Sequence, residues 1–313
     1  ASDKAYDGTT SATISSALSG VISGDTVTIA YTSAIFADKD IGTGKSIAIS
    51  GLSLSGSSAA NYLLGTTVAT ASASITAKQL TVTYTASDKV YDGSSSATVT
   101  QSISGVVGSE VITVSSSAAT FADKNVGTGK TVTISGLSLG GADATNYSLS
   151  NISATTTAAI TAKSLTASYT ASDKTYDGTT SATVSGTLST VESGDTVTLS
   201  NTSATFANKN VGTGKTVTIS GLSLGGTDAG NYTLSSTSTA TTAAITAKSL
   251  TASYTANDKT YDGSTAATVS ASSSDLVTGD AVTISNSSAT FDTKNVGAVK
   301  TTDCWKIYCV VFL

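Results

Sequence analysis

The chain has no histidine and no arginine, and charged residues make up only 12% of its 313 residues. Without histidine, the usual general base and the commonest metal ligand are missing, so acid–base chemistry would fall to carboxylates, lysine and tyrosine. With a net charge of −5 and no arginine fork to grip phosphate, the composition argues against nucleic acid as a partner. We therefore predict that the protein is not an enzyme, and that it has no cofactor and no bound metal.

Strong helix formers are also scarce, since glutamate occurs only as Glu110 and Glu192. Serine and threonine make up roughly a third of the chain, and valine, isoleucine, alanine and glycine supply most of the rest, which suits strands. No run of eighteen apolar residues occurs, so we expect no membrane insertion. Cysteine is confined to Cys304 and Cys309, so the stability of the preceding sequence must come from packing and not from disulfides.

The organising feature is a Tyr-Asp-Gly tripeptide that occurs four times at a spacing of 85 residues. This period is too long for a solenoid rung and matches a small domain, so we predict tandem domains. The predicted repeats are residues 1–78, which lack an opening strand, 79–163, 164–248 and the incomplete 249–313. The residues of the four tripeptides are Tyr6, Asp7, Gly8, Tyr91, Asp92, Gly93, Tyr176, Asp177, Gly178, Tyr261, Asp262 and Gly263.

We assign these tripeptides a structural role. The tyrosine is expected to pack at the edge of the core, the aspartate to close an Asx turn on its own backbone, and the glycine to take a positive φ. A recognition loop or half of a calcium site is the less favoured alternative, because each repeat needs the same turn.

Alternating apolar residues predict the strands. In the third repeat, Leu165, Ala167 and Tyr169 alternate with polar residues, and Val217 and Ile219 do so again after a turn rich in glycine and asparagine. Six or seven short strands in about 85 residues, without a helical stretch, predict an all-β fold of tandem antiparallel sandwiches, immunoglobulin-like by strand count. Repeats similar to the β-grasp fold are the alternative. Because closing strands run into the next opening strands without glycine or proline, we expect a stiff rod.

Both ends depart from the repeat. Ala1 corresponds to Ala86, which suggests a fragment of a longer chain. From about residue 302 the repeat pattern is lost, and we interpret residues 304–313 as an aberrant end, with a native terminal strand as the alternative. Within one strand, Cys304 and Cys309 would lie about 16 Å apart, beyond the reach of a disulfide, so only a hairpin would permit a bridge.

Two further sites are conceivable from the residue types. Asp38 and Asp40 bracket a lysine and could offer oxygens to calcium, but the third repeat has Asn208 and Asn210 there, so we favour a solvated turn.

The second is an isopeptide bond from one of the lysines, which recur in register, to an asparagine such as Asn146 or Asn231. Such a bond requires a buried protonated carboxyl next to both groups. The sequence does not indicate one, so we do not favour this chemistry.

Several sequence blocks carry a family resemblance. In the third repeat these are Lys-Thr-Tyr-Asp-Gly-Thr-Thr at 174–180, Ala-Thr-Val at 182–184, the long block at 204–224 that ends in Ser-Gly-Leu-Ser-Leu, Asn-Tyr-Thr-Leu at 231–234 and Ile-Thr-Ala-Lys at 245–248. Together they resemble the YDG repeat domain, which is found in tandem in very large bacterial surface proteins similar to filamentous haemagglutinin adhesins. The resemblance implies a secreted protein of the bacterial cell surface with a role in cell adhesion, and it implies no known ligand or catalytic set.

We therefore expect a non-catalytic structural stalk that spaces a binding head from the cell. The expected partners are the adjacent repeats of the same chain, with a host glycan or protein bound through another region. One alternative is a multivalent glycan- or protein-binding module whose tandem sites act through avidity. Another is the subunit of a self-assembling extracellular fibre, in which open strand edges pair between chains.

Overall fold

The computed structural model of the protein describes residues 1–298, 300 and 302–311. The chain divides into two compact units, Ala1–Lys163 and Ser164–Leu313. The all-β prediction is confirmed, because the described residues form strands and no α-helix, so the helix that a β-grasp repeat requires is missing from them. Single turns of 3-10 helix occur at Ala59–Asn61, Ala144–Asn146 and Ala229–Asn231.

The first unit contains fifteen strands. Those of repeat 1 are β1 (Lys4–Ala5), β2 (Thr28–Ala30), β3 (Ser33–Phe36), β4 (Gly42–Ser50), β5 (Ser53–Ser55) and β6 (Val68–Thr76). Those of repeat 2 are β7 (Lys78–Ala86), β8 (Lys89–Val90), β9 (Val99–Ser104), β10 (Thr113–Ser115), β11 (Ala118–Phe121), β12 (Gly127–Ser135), β13 (Ser138–Gly140), β14 (Tyr147–Leu149) and β15 (Ser153–Thr161).

The second unit begins within a strand. The strands of repeat 3 are β16 (Lys163–Leu165), β17 (Ala167–Ala171), β18 (Lys174–Thr175), β19 (Val184–Leu188), β20 (Thr198–Ser200), β21 (Ser203–Phe206), β22 (Gly212–Ser220), β23 (Ser223–Gly225), β24 (Tyr232–Leu234) and β25 (Ser238–Thr246). Those of repeat 4 are β26 (Ser253–Ala256), β27 (Val269–Ser272), β28 (Val282–Phe291) and β29 (Thr302–Val311).

Repeat 1 has six strands, as predicted, whereas repeats 2 and 3 have nine and ten, more than the six or seven predicted. Short strands and changes of sheet split what the sequence suggested were longer strands. For example, the alternating segment from Val197 to Phe206, which could be one long strand or two with a bulge, forms two strands, because β20 pairs with β23 whereas β21 pairs with β22. Between them, Asn201 and Thr202 carry the chain from one sheet to the other.

The main sheet of each of the first three repeats has four strands in the same order. The orders are β1-β6-β4-β3, β8-β15-β12-β11 and β18-β25-β22-β21. In all three sheets the long central pair and the pair at the far edge are antiparallel, as predicted. The first strand of each sheet instead runs parallel to the closing strand, which the sequence analysis did not predict.

Apolar residues at alternate positions form the core of each main sheet. Val217 and Ile219 on β22 are fully buried, and Ile245 on β25 and Phe206 on β21 are almost completely so. The predicted alternation of Leu165, Ala167 and Tyr169 places these side chains on the covered face, with Leu165 fully buried. Full burial of one such aliphatic side chain contributes about 1.5–3 kcal/mol relative to exposure.

The divergent end keeps the register of the other repeats at its start. Phe291 of β28 lies opposite Thr302 of β29, at the place where Phe206 lies opposite Val217 in repeat 3. Cys304 and Cys309 both fall within β29, so the described backbone forms no hairpin between them. The last two residues of the predicted aberrant segment, Phe312 and Leu313, lie outside the described residues.

Three tyrosines at equivalent positions have buried hydroxyls without a hydrogen-bond partner in the described part of the chain: Tyr84, Tyr169 and Tyr254. A buried unpaired hydroxyl costs about 1–3 kcal/mol. We therefore expect Tyr169→Phe to stabilise the second unit by about 1 kcal/mol, measured as a higher midpoint of thermal unfolding. The control is Tyr176→Phe, which removes a hydroxyl that donates to Asp280 at 2.9 Å and should lower the midpoint. A lower midpoint for Tyr169→Phe would contradict the prediction.

Candidate functional site

The first candidate site is a contact between the two ends of each of repeats 1–3, which we call the terminal clamp. In repeat 3 it joins residues 173–176 to the end of β25. The Tyr176 amide donates to the Thr246 carbonyl at 2.8 Å, and the Ala244 amide donates to the Asp173 carboxylate at 2.6 Å. The same two bonds join Tyr6 to Thr76 and Asp3 to Ser74 in repeat 1, and Tyr91 to Thr161 and Asp88 to Ala159 in repeat 2.

The Tyr-Asp-Gly turn lies directly after the clamp strand and is built in the same way in every repeat. In repeat 3 the Asp177 carboxylate accepts the Thr179 amide at 2.9 Å, which is an Asx turn, and Gly178 has a φ of 78°. The Lys174 ammonium donates to Asp177 at 2.8 Å and lies 5.6 Å from the centre of the Phe206 ring. The lysine of the clamp strand therefore holds in place the turn that directly follows that strand.

The surroundings of the turn aspartates strongly favour their ionised form. The hydrogen bond from Lys174 and the bonds from Thr179 lower the pKa of Asp177 to about 2, and Lys89 and Lys259 do the same for Asp92 and Asp262. In repeat 1, burial opposes the shift, but Lys4 and Thr9 still hold the pKa of Asp7 at about 2. A depressed pKa means that each turn keeps its ion pair at neutral pH and loses that contribution only in strong acid.

The second candidate site is the contact between repeats 1 and 2, which we call the joint. The Glu110 carboxylate lies between two tyrosines, accepting the hydroxyl of Tyr6 on one oxygen and that of Tyr147 at 2.5 Å on the other. Lys39 donates to the same carboxylate at 3.0 Å. The two tyrosine rings meet edge to face, with centroids 5.5 Å apart and an interplanar angle of 72°. Residues 6 and 39 belong to repeat 1 and residues 110 and 147 to repeat 2.

Burial and hydrogen bonding compete at the Glu110 carboxyl. Burial raises its pKa, but the hydrogen bonds from Tyr147, Tyr6 and Lys39 outweigh burial, so the net pKa lies below the ordinary value of 4.5. Burial and the neighbouring carboxylate raise the pKa of both tyrosines. At neutral pH the joint therefore holds an ionised carboxylate and two neutral phenols, which is the protonation state that its hydrogen bonds require.

A buried asparagine forms a second contact across the same joint. Asn146 is 4% exposed, accepts the Ile41 amide at 3.1 Å and donates to the Asp40 carboxylate at 3.1 Å. The Val107 amide donates to the Tyr147 hydroxyl at 2.9 Å. The asparagine considered for an isopeptide bond therefore joins neighbouring repeats through ordinary hydrogen bonds.

The second unit contains a related joint between repeats 3 and 4. The Tyr176 hydroxyl donates to Asp280 at 2.9 Å, and the Lys209 ammonium lies 3.3 Å from the same carboxylate. A Cβ added to Gly178 would lie 2.6 Å from Cγ1 of Val277, so the glycine of the signature allows the close approach of repeat 4. At the first joint, a Cβ on Gly8 would lie 2.8 Å from Cγ1 of Val107.

Sequence analysis missed the acidic residue of the joint. Four acidic residues lie at the spacing of the repeat: Asp25, Glu110, Asp195 and Asp280. In repeat 3 this residue follows Ser193 and Gly194, so by residue type it looks like an ordinary turn residue. The recurrence at 85 residues, combined with burial of Glu110 to a side-chain exposure of 13%, is the signal that distinguishes it from an ordinary turn residue.

The position considered for calcium holds a lysine instead. Lys45 donates to Asp38, Lys130 donates to Asp123 at 2.7 Å, and Lys215 donates to Asn208 at 2.5 Å. In repeat 3 the asparagine side-chain oxygen accepts the same lysine hydrogen bond that the aspartate accepts in repeats 1 and 2. Across the described ranges no three histidine, cysteine, aspartate or glutamate side chains come together as a metal site would require.

No helix in the described part of the chain is long and apolar enough to cross a membrane.

The comparison with known proteins gives one family. The sequence profile of the YDG domain matches the chain four times, at residues 1–71, 76–158, 161–241 and 246–308. No curated protein and no solved structure matches the chain.

Proposed function

The chain belongs to the YDG domain family, and from this premise we propose that it is a non-catalytic structural stalk of a secreted bacterial surface adhesin. In this role the repeats space a binding head from the cell and bear the load on it. The observation that carries the proposal is the terminal clamp, because it joins the two ends of a repeat in the geometry that resists pulling.

The direction of the clamp strands decides how they respond to force. β18 lies near the start of repeat 3, β25 closes it, and the two strands run parallel. Tension on the chain pulls β18 toward its amino end and β25 toward its carboxyl end, so the strands are sheared past one another. In shear, the Tyr176 and Asp173 bonds are loaded together, and must break together, whereas strands that are peeled apart lose their bonds one at a time.

The joints support the second requirement of a stalk, which is resistance to bending. In the first unit only Ala77 separates β6 from β7, so the repeats are connected without a flexible linker. The Glu110 and Asn146 contacts fasten repeat 2 to repeat 1 at positions far from that connection in sequence. We propose that each such joint holds its two repeats in a fixed relation.

The finer architecture and the partners belong to the same proposal. We propose an immunoglobulin-like sandwich for each repeat, supported by the four-stranded main sheet of repeats 1–3 and, in repeat 3, by Ala167, Tyr169 and Val184 of β17 and β19, which pack against its buried core. Adjacent repeats are the partners of each repeat, and a host glycan or protein would bind another region of the adhesin. The cell surface is the proposed location, and it rests on what the resemblance to the YDG domain family implies.

Pulling single molecules by their ends tests the clamp. We expect Asp173→Ala to speed the unfolding of repeat 3 under constant load by about tenfold, because one bond of the clamp to a charged acceptor is worth roughly 1.4 kcal/mol. The matched control is Asp228→Ala. The Asp228 carboxylate accepts the Thr196 amide at 2.9 Å, and this bond lies outside the clamp.

Both variants lose the same kind of bond, so their thermal midpoints should fall by similar amounts. Only Asp173→Ala should unfold faster under load. Equal unfolding rates for the two variants under load would overturn the proposal that the terminal clamp bears the force.

A further inference from the structure

Each Tyr-Asp-Gly turn contains an Asp-Gly dipeptide, the sequence in which aspartate rearranges most readily. The glycine amide nitrogen, which no Cβ shields, attacks the aspartate Cγ, and water leaves as a cyclic succinimide forms. Water then opens this ring at either carbonyl and gives aspartate or isoaspartate, so the net change is a rearrangement that needs no other reactant. The side chains of the four aspartates are 51–56% exposed, so water reaches all of them: Asp7, Asp92, Asp177 and Asp262.

The attack requires a neutral carboxyl, because a carboxylate would have to expel an oxide ion. In repeat 3, three hydrogen bonds to one oxygen hold the Asp177 carboxylate in its ionised form. Lys174 donates at 2.8 Å, and the amide and the hydroxyl of Thr179 each donate at 2.9 Å. Because these bonds lower the pKa of Asp177 from 3.8 to about 2, its neutral form is roughly sixtyfold rarer at neutral pH than that of an unperturbed aspartate.

The lysine that makes this ion pair is itself fixed in place. The Lys174 side chain is 17% exposed, and its ammonium also donates to the Thr179 carbonyl at 2.9 Å and to the Ser181 carbonyl at 3.0 Å. It therefore stays beside the carboxylate, unlike a flexible lysine in an exposed surface ion pair. The equivalent lysines donate to their turn aspartates at 2.7, 2.8 and 2.9 Å: Lys4, Lys89 and Lys259.

We propose that the Tyr-Asp-Gly turn is a modification site at which aspartate converts to isoaspartate, and that the lysine of the clamp strand suppresses this conversion. Isoaspartate adds the side-chain Cβ to the main chain. Both flanks of the turn are fixed, since the Tyr176 amide donates to the Thr246 carbonyl at 2.8 Å and the Phe206 amide donates to the Thr180 carbonyl at 2.7 Å. An additional main-chain atom between them would break one of these bonds and loosen the repeat. The site would act in this way whether or not the chain is a stalk.

The test compares the full chain with a peptide of the sequence 174–180 in weakly acidic buffer, below the thermal midpoint of the chain. Isoaspartate at residue 177 is measured in proteolytic fragments by its enzymatic methylation. We expect it to form at least about tenfold more slowly in the chain than in the peptide, and about tenfold faster in Lys174→Met than in the original chain. Methionine keeps an apolar stem against Phe206 but removes the ammonium. Equal rates in chain and peptide, or no acceleration in Lys174→Met, would overturn the proposal.

Two controls separate the loss of the lysine from general loosening. Asp173→Ala removes the clamp bond to the Ala244 amide but leaves Lys174 beside Asp177, so it should not accelerate the reaction at Asp177. Asp262 lies in the same unit and keeps Lys259, so its rate should be unchanged in Lys174→Met. Equal acceleration of Asp177 by Asp173→Ala, or of Asp262 in Lys174→Met, would show that opening of the fold sets the rate, and the protective role of the lysine would be wrong.

Discussion

Replacing Glu110 with alanine is expected to destabilise the first unit by about 2–4 kcal/mol, the largest loss that we predict for a single polar side chain. The substitution leaves the hydroxyl of Tyr6, a residue that is only 1% exposed, without its acceptor, and it removes the carboxylate from Tyr147 and Lys39 as well. A buried group that loses its partner costs about 1–3 kcal/mol. Lys39 is 44% exposed, so water can solvate its charge and we assign it little of the loss.

Hydrogen exchange can separate loosening of the joint from general instability. The Val107 amide donates to Tyr147 and the Ile41 amide donates to Asn146, so both report on the joint. We expect both amides to exchange faster in Glu110→Ala. The matched control is Asp25→Ala, at the equivalent position of repeat 1, where the carboxylate accepts the Tyr62 hydroxyl at 2.6 Å. If Asp25→Ala accelerated the same two amides, the role of Glu110 in the joint would be wrong.

The joint should also respond to pH in a defined direction. The pKa of Glu110 is lower in the folded chain than its ordinary value of 4.5, so its contribution is complete above that value and is lost as the pH falls through the folded pKa. The pKa values of Tyr6 and Tyr147 are raised above 10 in the folded chain, so these tyrosines matter at the alkaline end. Their contribution to stability is present below pH 10 and is lost as the pH rises through the folded pKa values. The protection factors of the Ile41 and Val107 amides, which divide out the intrinsic pH dependence of exchange, should therefore be highest between these limits.

Much of the architecture of each repeat could be predicted because it depends on local pattern. Alternation places Val217 and Ile219 on one face whatever their partners are, and both are fully buried. The 85-residue spacing can likewise be found in the sequence without knowing which residues are in contact. The parallel clamp was not predictable in this way, because β18 has only two residues and its partner β25 lies about 70 residues later. A strand of two residues has no period to detect.

The joint could not be predicted for a different reason. Tyr6 lies 19 residues before Asp25 and 104 residues before Glu110, and both acids occupy the same position of the repeat. A strict repeat makes the contact within one domain and the contact between neighbours indistinguishable in sequence. The structure resolves this, since Tyr6 binds Glu110 and Tyr176 binds Asp280, in each case the acid of the following repeat.

The second large prediction concerns the glycine of the Tyr-Asp-Gly tripeptide. Comparing Gly178 with Gly263 separates the cost of a positive φ from the cost of a steric clash with the next repeat. Gly178 and Gly263 have φ values of 78° and 81°, so alanine at either position carries the same backbone cost of about 1–2 kcal/mol. At Gly178 the new Cβ would also lie 2.6 Å from Cγ1 of Val277, whereas around Gly263 nothing in the described structure lies within 4 Å. We expect Gly178→Ala to cost a further 1–3 kcal/mol or so, the range for overpacking.

The additional loss at Gly178 belongs to the joint between repeats 3 and 4, so it should appear there first. The Asp280 amide donates to the Val277 carbonyl at 3.1 Å, and the Asp280 carboxylate accepts the Tyr176 hydroxyl, so this amide reports on the turn that the new methyl group displaces. Its hydrogen exchange should accelerate in Gly178→Ala and stay unchanged in Gly263→Ala. Equal destabilisation by the two substitutions would mean that the glycine serves the turn alone. A larger loss for Gly178→Ala would mean that the Tyr-Asp-Gly turn also forms the surface on which the next repeat packs.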